Sequence, residues 1–402
     1  MQNLFAVTKK TLAQIYEEMK EDFEDKFNEK ARMGLKIILE KSVEEELTAY
    51  LEVERYGHKK DRKGSRNGVY IRDLLTVYGL IKDISIARCR KKGFEPKSIP
   101  RYERNQGGVK RLIEKIFIGG VSTRKVGEVL RDLLGYQVSA QSVSRITSDL
   151  TKEVEKFHNR ELEDKYIYLI LDGISMKYRV GAHVRKNVAL VAMGITAEGK
   201  REIINFRMAD SESEAKWEAF LNDLYKRGLV GKMLKLIITD GGKGLLRALD
   251  TVYPYVLKQR CWVHKLRNAG SYMRKRNQEQ CLFDAKKIYL ANNREDAIKK
   301  FWNFANNWRA VEPKAVECIE KGLDTLLTFF TCPKNHWKII RTTNAIERSF
   351  REVRRRTRPM TSFKNKQSCE RIVFAIINGF NLRWEHRSIP HFFDNKKFTQ
   401  FN

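Results

Sequence analysis

Two apolar runs, each closed by Asp-Gly, constrain this chain more than any other feature. Tyr166-Ile167-Tyr168-Leu169-Ile170-Leu171 leads into Asp172-Gly173, and Leu234-Lys235-Leu236-Ile237-Ile238-Thr239 leads into Asp240-Gly241-Gly242. Short apolar stretches bounded by glycine read as buried strands, so each delivers a carboxylate at a strand end. Residues 188–195 and 202–206 read as further strands, with 194–200 as a hairpin-like connection. Ser211 and Glu214 have capping-box spacing at the start of a helix. That helix carries Trp217, Phe220, Leu221 and Leu224 on one face and stops near Gly228.

Three early strands, a helix and a strand ending in Asp follow the order of a ribonuclease-H-like sheet in an α/β fold. A simple alternating βαβ chain would not begin with two adjacent hairpins. Paired carboxylates at strand ends are raw material for a divalent-metal site, because Mg²⁺ prefers oxygen ligands and keeps several waters. Two such ions about 4 Å apart activate an attacking oxygen and stabilise a leaving one in phosphoryl displacement. Either aspartate alone is an ordinary turn residue before glycine. Gly241-Gly242-Lys243-Gly244 lacks the Gly-x4-Gly-Lys-Ser/Thr form, which excludes a P-loop; no nucleotide cofactor is expected.

A third carboxylate lies far downstream. The stretch from Arg341 to Arg356, Arg-Thr-Thr-Asn-Ala-Ile-Glu-Arg-Ser-Phe-Arg-Glu-Val-Arg-Arg-Arg, reads as a helix. Asn344 and Glu347 have capping-box spacing. Arg348, Arg351 and Arg355 fall at i, i+3 and i+7, while Glu347, Arg351 and Arg354 share an overlapping face. A carboxylate among guanidinium groups suits a site holding metal ions and phosphates, and it equally suits a surface ion-pair helix. Between the carboxylates lies Arg260-Cys261-Trp262-Val263-His264-Lys265-Leu266-Arg267-Asn268. Cys261-x2-His264 is half of a zinc site, and Cys332-x3-His336 would be the other half. The alternatives are a His264 close to a scissile phosphate, or a core cysteine beside a surface histidine.

Charge points to the partner. Lys and Arg number 79 against 50 Asp and Glu, a net +29 over 402 residues. Such an excess favours a polyanion, most often nucleic acid, since each neutralised phosphate releases counterions. Residues 1–54 are acidic, with 13 acids against 8 bases, and read as two or three amphipathic helices, possible dimerisation elements. Residues 55–110 read as a basic, partly β DNA-binding region. Here Lys59, Lys60, Arg62, Lys63 and Arg66 precede the β-type runs 69–72, 75–79 and 84–87. Residues 111–160 fit a helix-turn-helix. Ser122 is its N-cap, Arg124 and Lys125 lie in its first helix, Gly135 is its turn, and Gln141, Ser142 and Arg145 are offered to a major groove. No run approaches a membrane span, no signal-peptide segment opens the chain, and six cysteines are too sparse for a disulfide scaffold. A cytoplasmic, reduced protein is expected.

The chain resembles mutator-type transposases of bacterial insertion sequences, a family with a DDE ribonuclease-H-like core. The resemblance rests on Gly119-Gly120-Val121-Ser122-Thr123-Arg124, Leu171-Asp172-Gly173, Arg227-Gly228-Leu229 and Thr239-Asp240-Gly241. It continues through Gln259 to Asn268 and Thr342-Thr343-Asn344-Ala345-Ile346-Glu347-Arg348. It implies that Asp172, Asp240 and Glu347 bind two Mg²⁺ (or Mn²⁺) ions, with Cys261 and His264 in the catalytic core rather than in a zinc finger. It also implies a core over 161–266 and 341–390, an all-helical insertion over 267–340 with Phe301, Trp302, Phe304 and Trp308 as anchors, and a tail over 391–402. The partners it implies are double-stranded DNA (element ends, flanks and target) and a second copy of the chain, acting at the bacterial nucleoid. A ribonuclease-H-like nuclease or integrase, or a DNA-binding regulator without catalysis, would share much of this pattern.

Overall fold

The computed structural model describes residues 12–58, 63–90, 93–101, 103–119, 121–358, 362–390 and 392. The chain forms two compact units, one ending at Ser148 and one beginning at Asp149. Lys59, Lys60, Arg62 and all of the 391–402 tail except Phe392 lie outside the described residues.

In the first unit, α1 (Leu12–Leu51) is one helix of 40 residues where the spacing predicted two or three. No proline interrupts it, and Gly34 alone is tolerated in a helix this long. Val43, Leu47 and Leu51, at i, i+4 and i+8, bury against Ile81, Ile84 and Ile86 of a β-hairpin. That hairpin is β1 (Arg66–Thr76) paired antiparallel with β2 (Gly79–Cys89). The runs 69–72 and 75–79 are therefore one strand plus its turn, with Gly79 at φ +106° supplying the left-handed residue. Then come α2 (Gly107–Ile118), α3 (Thr123–Leu134) and α4 (Ala140–Asn159), whose residues from Asp149 on belong to the second unit. The Ser122 hydroxyl caps α3 by accepting from the Lys125 N–H, and Gly135 ends it at φ 64°. Gly127 lets α3 approach the following segment, since a Cβ there would fall 2.3 Å from the Val138 carbonyl oxygen.

The second unit is built on a five-stranded mixed sheet, β5-β4-β3-β6-β7. Its strands are β3 (Tyr166–Val180), β4 (His183–Thr196), β5 (Arg201–Ala209), β6 (Leu236–Thr239) and β7 (Leu257–Arg260). The first three form an antiparallel meander; β6 and β7 add in parallel beside β3. Helices α5 (Glu214–Lys226) and α6 (Lys243–Val252) cover one face, where Trp217, Phe220, Leu221, Leu245 and Leu249 pack on Leu169 and Leu171. Ser211 and Glu214 form no capping box: α5 begins after Ser213, and the Ser211 hydroxyl donates to Asp210 instead. After β7 the described chain is helical as far as 358: α7 (Trp262–Gly270), α8 (Lys275–Tyr289), α9 (Arg294–Trp308), α10 (Pro313–Glu320), α11 (Leu323–Leu327), α12 (Trp337–Ile340) and α13 (Asn344–Thr357), with two short 3-10 turns before α12. Of the aromatic anchors expected there, Phe301 and Phe304 are buried and Trp308 donates to Asp284, but Trp302 is exposed. Finally α14 (Lys366–Trp384) packs on β5 and β3.

His158, at the end of α4, is 4% exposed. Its Nδ1 meets the Asn205 side-chain oxygen at 2.9 Å, and its Nε2 has no partner among the described residues. Burial, helped by Arg207 and Arg227, pulls its pKa down to about 4. The unfolded chain therefore takes up this proton more readily than the folded one, so stability is complete above about pH 6.5 and falls as pH drops towards 4. Between pH 7.5 and 5 this histidine alone is expected to remove about 2 kcal/mol. Urea midpoints of wild type and His158→Gln at the two pH values measure it: the variant should lose clearly less on acidification.

Candidate active site

The register of β3 and β6 decides where the aspartates lie. Tyr168 pairs with Leu236, Leu169 with Ile237 and Ile170 with Ile238. Two residues further along, Asp172 comes level with Asp240. Side chains alternate along a strand, so Asp172 shares a face with Tyr168 and Ile170, opposite the face that α5 and α6 cover. On β7, Arg260 pairs with Thr239, which brings Cys261 level with Asp240. Asp172 is not at the end of its strand, because β3 runs on to Val180 paired with β4; only its β6 neighbour stops there. The Gly173 N–H donates to Asp172 at 2.8 Å, and the Gly242 N–H donates to Asp240 at 2.9 Å.

Asp172 is buried, at 8% exposure. Burial first, then the negative charge of Asp240, push its carboxyl up to about 7; Glu347 adds to the repulsion and His264 opposes it. The centre thus holds more negative charge than its own residues neutralise, which is the condition a divalent cation relieves. Oxygen donors of this kind fit a hard ion such as Mg²⁺.

Glu347 arrives on the first turn of α13, which packs against β3. The capping residue is Thr343, not Asn344, and its hydroxyl donates to Glu347 Oε1 at 3.0 Å. Thr343 is fully buried and touches two more functional atoms. Its N–H donates to Cys261 Sγ at 3.3 Å, and its hydroxyl lies 3.4 Å from His264 Nδ1. His264 Nδ1 is in turn 3.7 Å from Glu347 Oε1. The hydrogen bond with Cys261, outweighing burial, raises the imidazole pKa to about 9. Burial alone would push the thiol up, yet hydrogen bonds with His264 and Thr343 hold it below its usual range. Single ligand atoms of Cys261, His264 and Glu347 all lie within 4.8 Å of one another, the group among the described residues that meets this test. The other half-site does not join it. Both ring nitrogens of His336 are taken, Nδ1 by the Tyr168 hydroxyl at 2.7 Å and Nε2 by the Phe392 carbonyl at 3.0 Å. A four-ligand zinc site from Cys261, His264, Cys332 and His336 is therefore not formed. Thr343 was missed in the sequence; its signal was the Thr342-Thr343 pair just ahead of the helix, overshadowed by the capping box at Asn344.

A family model described as "Transposase, Mutator family" matches residues 6–387. The chain belongs to that family. It is 32% identical over 369 residues to the transposase for insertion sequence element IS905 of Lactococcus lactis, covering 92% of each chain. It is 31% identical to the transposase for ISRM5 of Rhizobium meliloti, covering 88% of each. The same identity relates it to the transposase for IS256 in transposon Tn4001 of Staphylococcus aureus, over 88% of this chain and 90% of that one.

Arg348, Arg351, Arg354 and Arg355 of this transposase are all exposed on α13, while Ile346, Phe350 and Val353 face inward. Arg355 pairs with Glu352 at 3.4 Å. In the first unit, an open groove is lined by Arg104, Asn105, Tyr136, Gln137, Gln141 and Arg145. Gln141 and Arg145 are exposed at the start of α4, and Arg124 and Lys125 at the start of α3. Ser142 is half-buried, its N–H donating to the Ser139 hydroxyl. Two expected phosphate contacts are engaged within their own unit. Arg66 is tied to Glu44, Thr48 and the Val53 carbonyl, and exposed Lys63 pairs with Glu52 at 3.1 Å. Among the described residues no helix is long and apolar enough to cross a membrane.

Proposed function

We propose that this transposase binds the terminal inverted repeats of its element and carries out metal-dependent DNA cleavage and strand transfer in a ribonuclease-H-like DDE core. The observation that carries this reading is the parallel register that pairs Ile170 with Ile238, two residues before each aspartate, with burial and the charge of Asp240 pushing the Asp172 carboxyl up to about 7. Asp172, Asp240 and Glu347 would hold two Mg²⁺ or Mn²⁺ ions, which supply charge neutralisation at phosphorus and a more acidic water. His264, Thr343 and Cys261 orient Glu347 from behind. The exposed arginines of α13 hold phosphates on either side of the scissile bond, as their planar donors suit.

In the first step a water oxygen forms a bond to phosphorus and the P–O3′ bond breaks, releasing a 3′-hydroxyl. In the second, that hydroxyl forms a new P–O bond and displaces another 3′ oxygen. One phosphodiester replaces another, so no ATP is consumed. Recognition of the ends falls to α3 and α4 as a helix-turn-helix, with Gln141 and Arg145 reading base edges and Arg124 and Lys125 holding phosphates. Two ends must be handled together, which favours a homodimer. The exposed Phe23, Phe27, Ile37 and Ile38 of α1 are an apolar stripe such pairing would cover.

The test is an assay of purified protein with its own element's end duplex and Mg²⁺, mapping products to the nucleotide. Cleavage at the element boundary and joining of the released 3′ end are expected. Cleavage without joining would identify a nuclease instead, and binding without either product a regulator.

A further inference from the structure

The strand that carries Asp172 continues well past it. From Tyr168 to Val180, β3 pairs with β4 in unbroken register, closed by a tight turn in which Gly181 takes φ +63°. Pairing with β6 stops at Ile170, and β5 joins β4 only from Val188 onward. The end of β3 and the start of β4 therefore project from the five-stranded sheet as a two-stranded ribbon. A ribbon alone is marginal in water. This one is held by Phe363, whose N–H donates to the Lys177 carbonyl at 2.9 Å and whose carbonyl accepts from the Arg179 N–H at 3.0 Å. The rings of Phe363 and Tyr178 are both buried.

The ribbon carries no acid. Between Asp172 and Glu198 lie Lys177, Arg179, Arg185 and Lys186 and no Asp or Glu. Lys177 sits directly opposite Lys186, and Arg179, two residues on, shares their face. Such cross-strand pairs are about 5 Å apart at Cβ, where like charges destabilise a sheet. The docked segment adds a further cation at the ribbon's edge, Lys364, which follows Phe363. All five are exposed, and among the described residues none of their side chains forms an ion pair or a hydrogen bond. Glu212 attracts Lys186 without pairing with it. Unpaired cations arrayed this closely suit a polyanion. The exposed face offers no amide to read bases: Asn187 is buried and donates to the Arg185 carbonyl at 3.0 Å. Contacts to phosphate alone suit DNA whose sequence changes from one insertion to the next.

The strand also sets a distance. Lys177 and Arg179 lie five and seven residues beyond Asp172, about 17 to 23 Å at the strand's rise, which is about five to seven base-pair steps of B-DNA. Asp172 faces the other side of the sheet, but no strand pairs with that edge of β3 between Ile170 and Lys177 among the described residues. A duplex passing this edge meets Asp172 and the cations in turn. We infer that the ribbon, with Lys364, is a phosphate-binding platform for the duplex flanking the element, gripping it about five to seven base pairs from the scissile bond whatever its sequence. This rests on the reading of Asp172 as part of the reaction centre, and the test keeps the two apart.

Binding is measured by fluorescence anisotropy without metal, using full-length protein and duplexes that carry the element's terminal repeat with a flank or without one. Wild type should bind the flanked duplex at least about tenfold more tightly at low salt, and equally for two unrelated flank sequences. The double variant Lys177→Gln/Lys186→Gln should lose that gain and flatten the salt slope by about two, with affinity for the flankless duplex within about twofold of wild type. Lys177→Arg/Lys186→Arg should keep the gain. The Gln variant should melt at or above the wild-type temperature, because repulsion is relieved; a lower melting temperature would mark a structural pair and overturn the inference. An unchanged gain, a gain that depends on flank sequence, or equal loss on both duplexes would each overturn it as well. Flank phosphates whose ethylation weakens wild type but not the Gln variant should lie about five to seven base pairs from the cut. If the variant loses the gain but those phosphates lie elsewhere, the ribbon still holds the flank and it is Asp172 that has been wrongly placed at the reaction centre.

Discussion

Asp172→Asn is expected to cut Mg²⁺-dependent strand cleavage by about 10³-fold or more while leaving end-duplex affinity within about twofold. The two outcomes separate because the carboxylate and the end-binding residues act on different terms. Asparagine keeps the volume and the acceptor for the Gly173 N–H, so the strand has no reason to distort. What it removes is the anionic oxygen that would meet a cation in the transition state. The same variant should melt above wild type when metal is absent. Burial and Asp240 make the ionised Asp172 costly, so the folded chain gives up stability as pH rises through its titration near 7, and the neutral amide escapes that cost. A variant that is more stable yet inert marks a residue kept for chemistry at the expense of the fold. Full cleavage by Asp172→Asn would remove the catalytic assignment, and a lower metal-free melting point would show that Asp172 is a structural carboxylate.

Much of this site could be read before the fold was known, for an identifiable reason. Strand runs carry a period and a length, so Tyr166 to Leu171 and Leu234 to Thr239 read as strands, the second shortened to Leu236–Thr239 in the fold, and the aspartates came with them. What the sequence could not supply was register. Whether Asp172 meets Asp240 depends on Ile170 pairing with Ile238, a long-range choice that a slip of one residue would have turned to the opposite face. Continuation of β3 past Asp172 was hidden too, because Ser175, Lys177 and Arg179 interrupt the apolar run; pairing with β4 sustains that part, not hydrophobicity. Local signals misled at both helix starts. Ser211 with Glu214 and Asn344 with Glu347 have ideal capping spacing, yet Ser213 and Thr343 take the N-cap positions. In each case tertiary contacts won: Gly244 pins the backbone before α5, and Cys261 takes the Thr343 N–H. The 40 residues of α1, where the spacing predicts two or three helices, form one helix because only its C-terminal half, from Leu35 to Leu51, packs on the hairpin and needs apolar residues.

The same competition explains the last expected result. Thr343→Val replaces a hydroxyl by a methyl of nearly equal size at a fully buried position, so packing survives and hydrogen bonding does not. The Thr343 N–H still donates to Cys261 Sγ, which keeps α13 attached to the end of β7. Glu347 loses the 3.0 Å donor that fixes Oε1, and His264 loses its neighbour at 3.4 Å. A carboxylate free to rotate must be reordered at each turnover. Cleavage is expected to fall about 10²-fold, with stability lowered by only about 1 kcal/mol. Thr343→Ser keeps the hydroxyl and should restore activity to within about fivefold of wild type, which a mere packing role would not allow, since serine leaves the larger void. Raising Mg²⁺ should partly rescue Thr343→Val but not Asp172→Asn, because the first variant misplaces a ligand and the second deletes one. If Thr343→Val cleaves like wild type at limiting Mg²⁺, the cation alone orients Glu347 and the contacts with Cys261 and His264 serve only to anchor the helix.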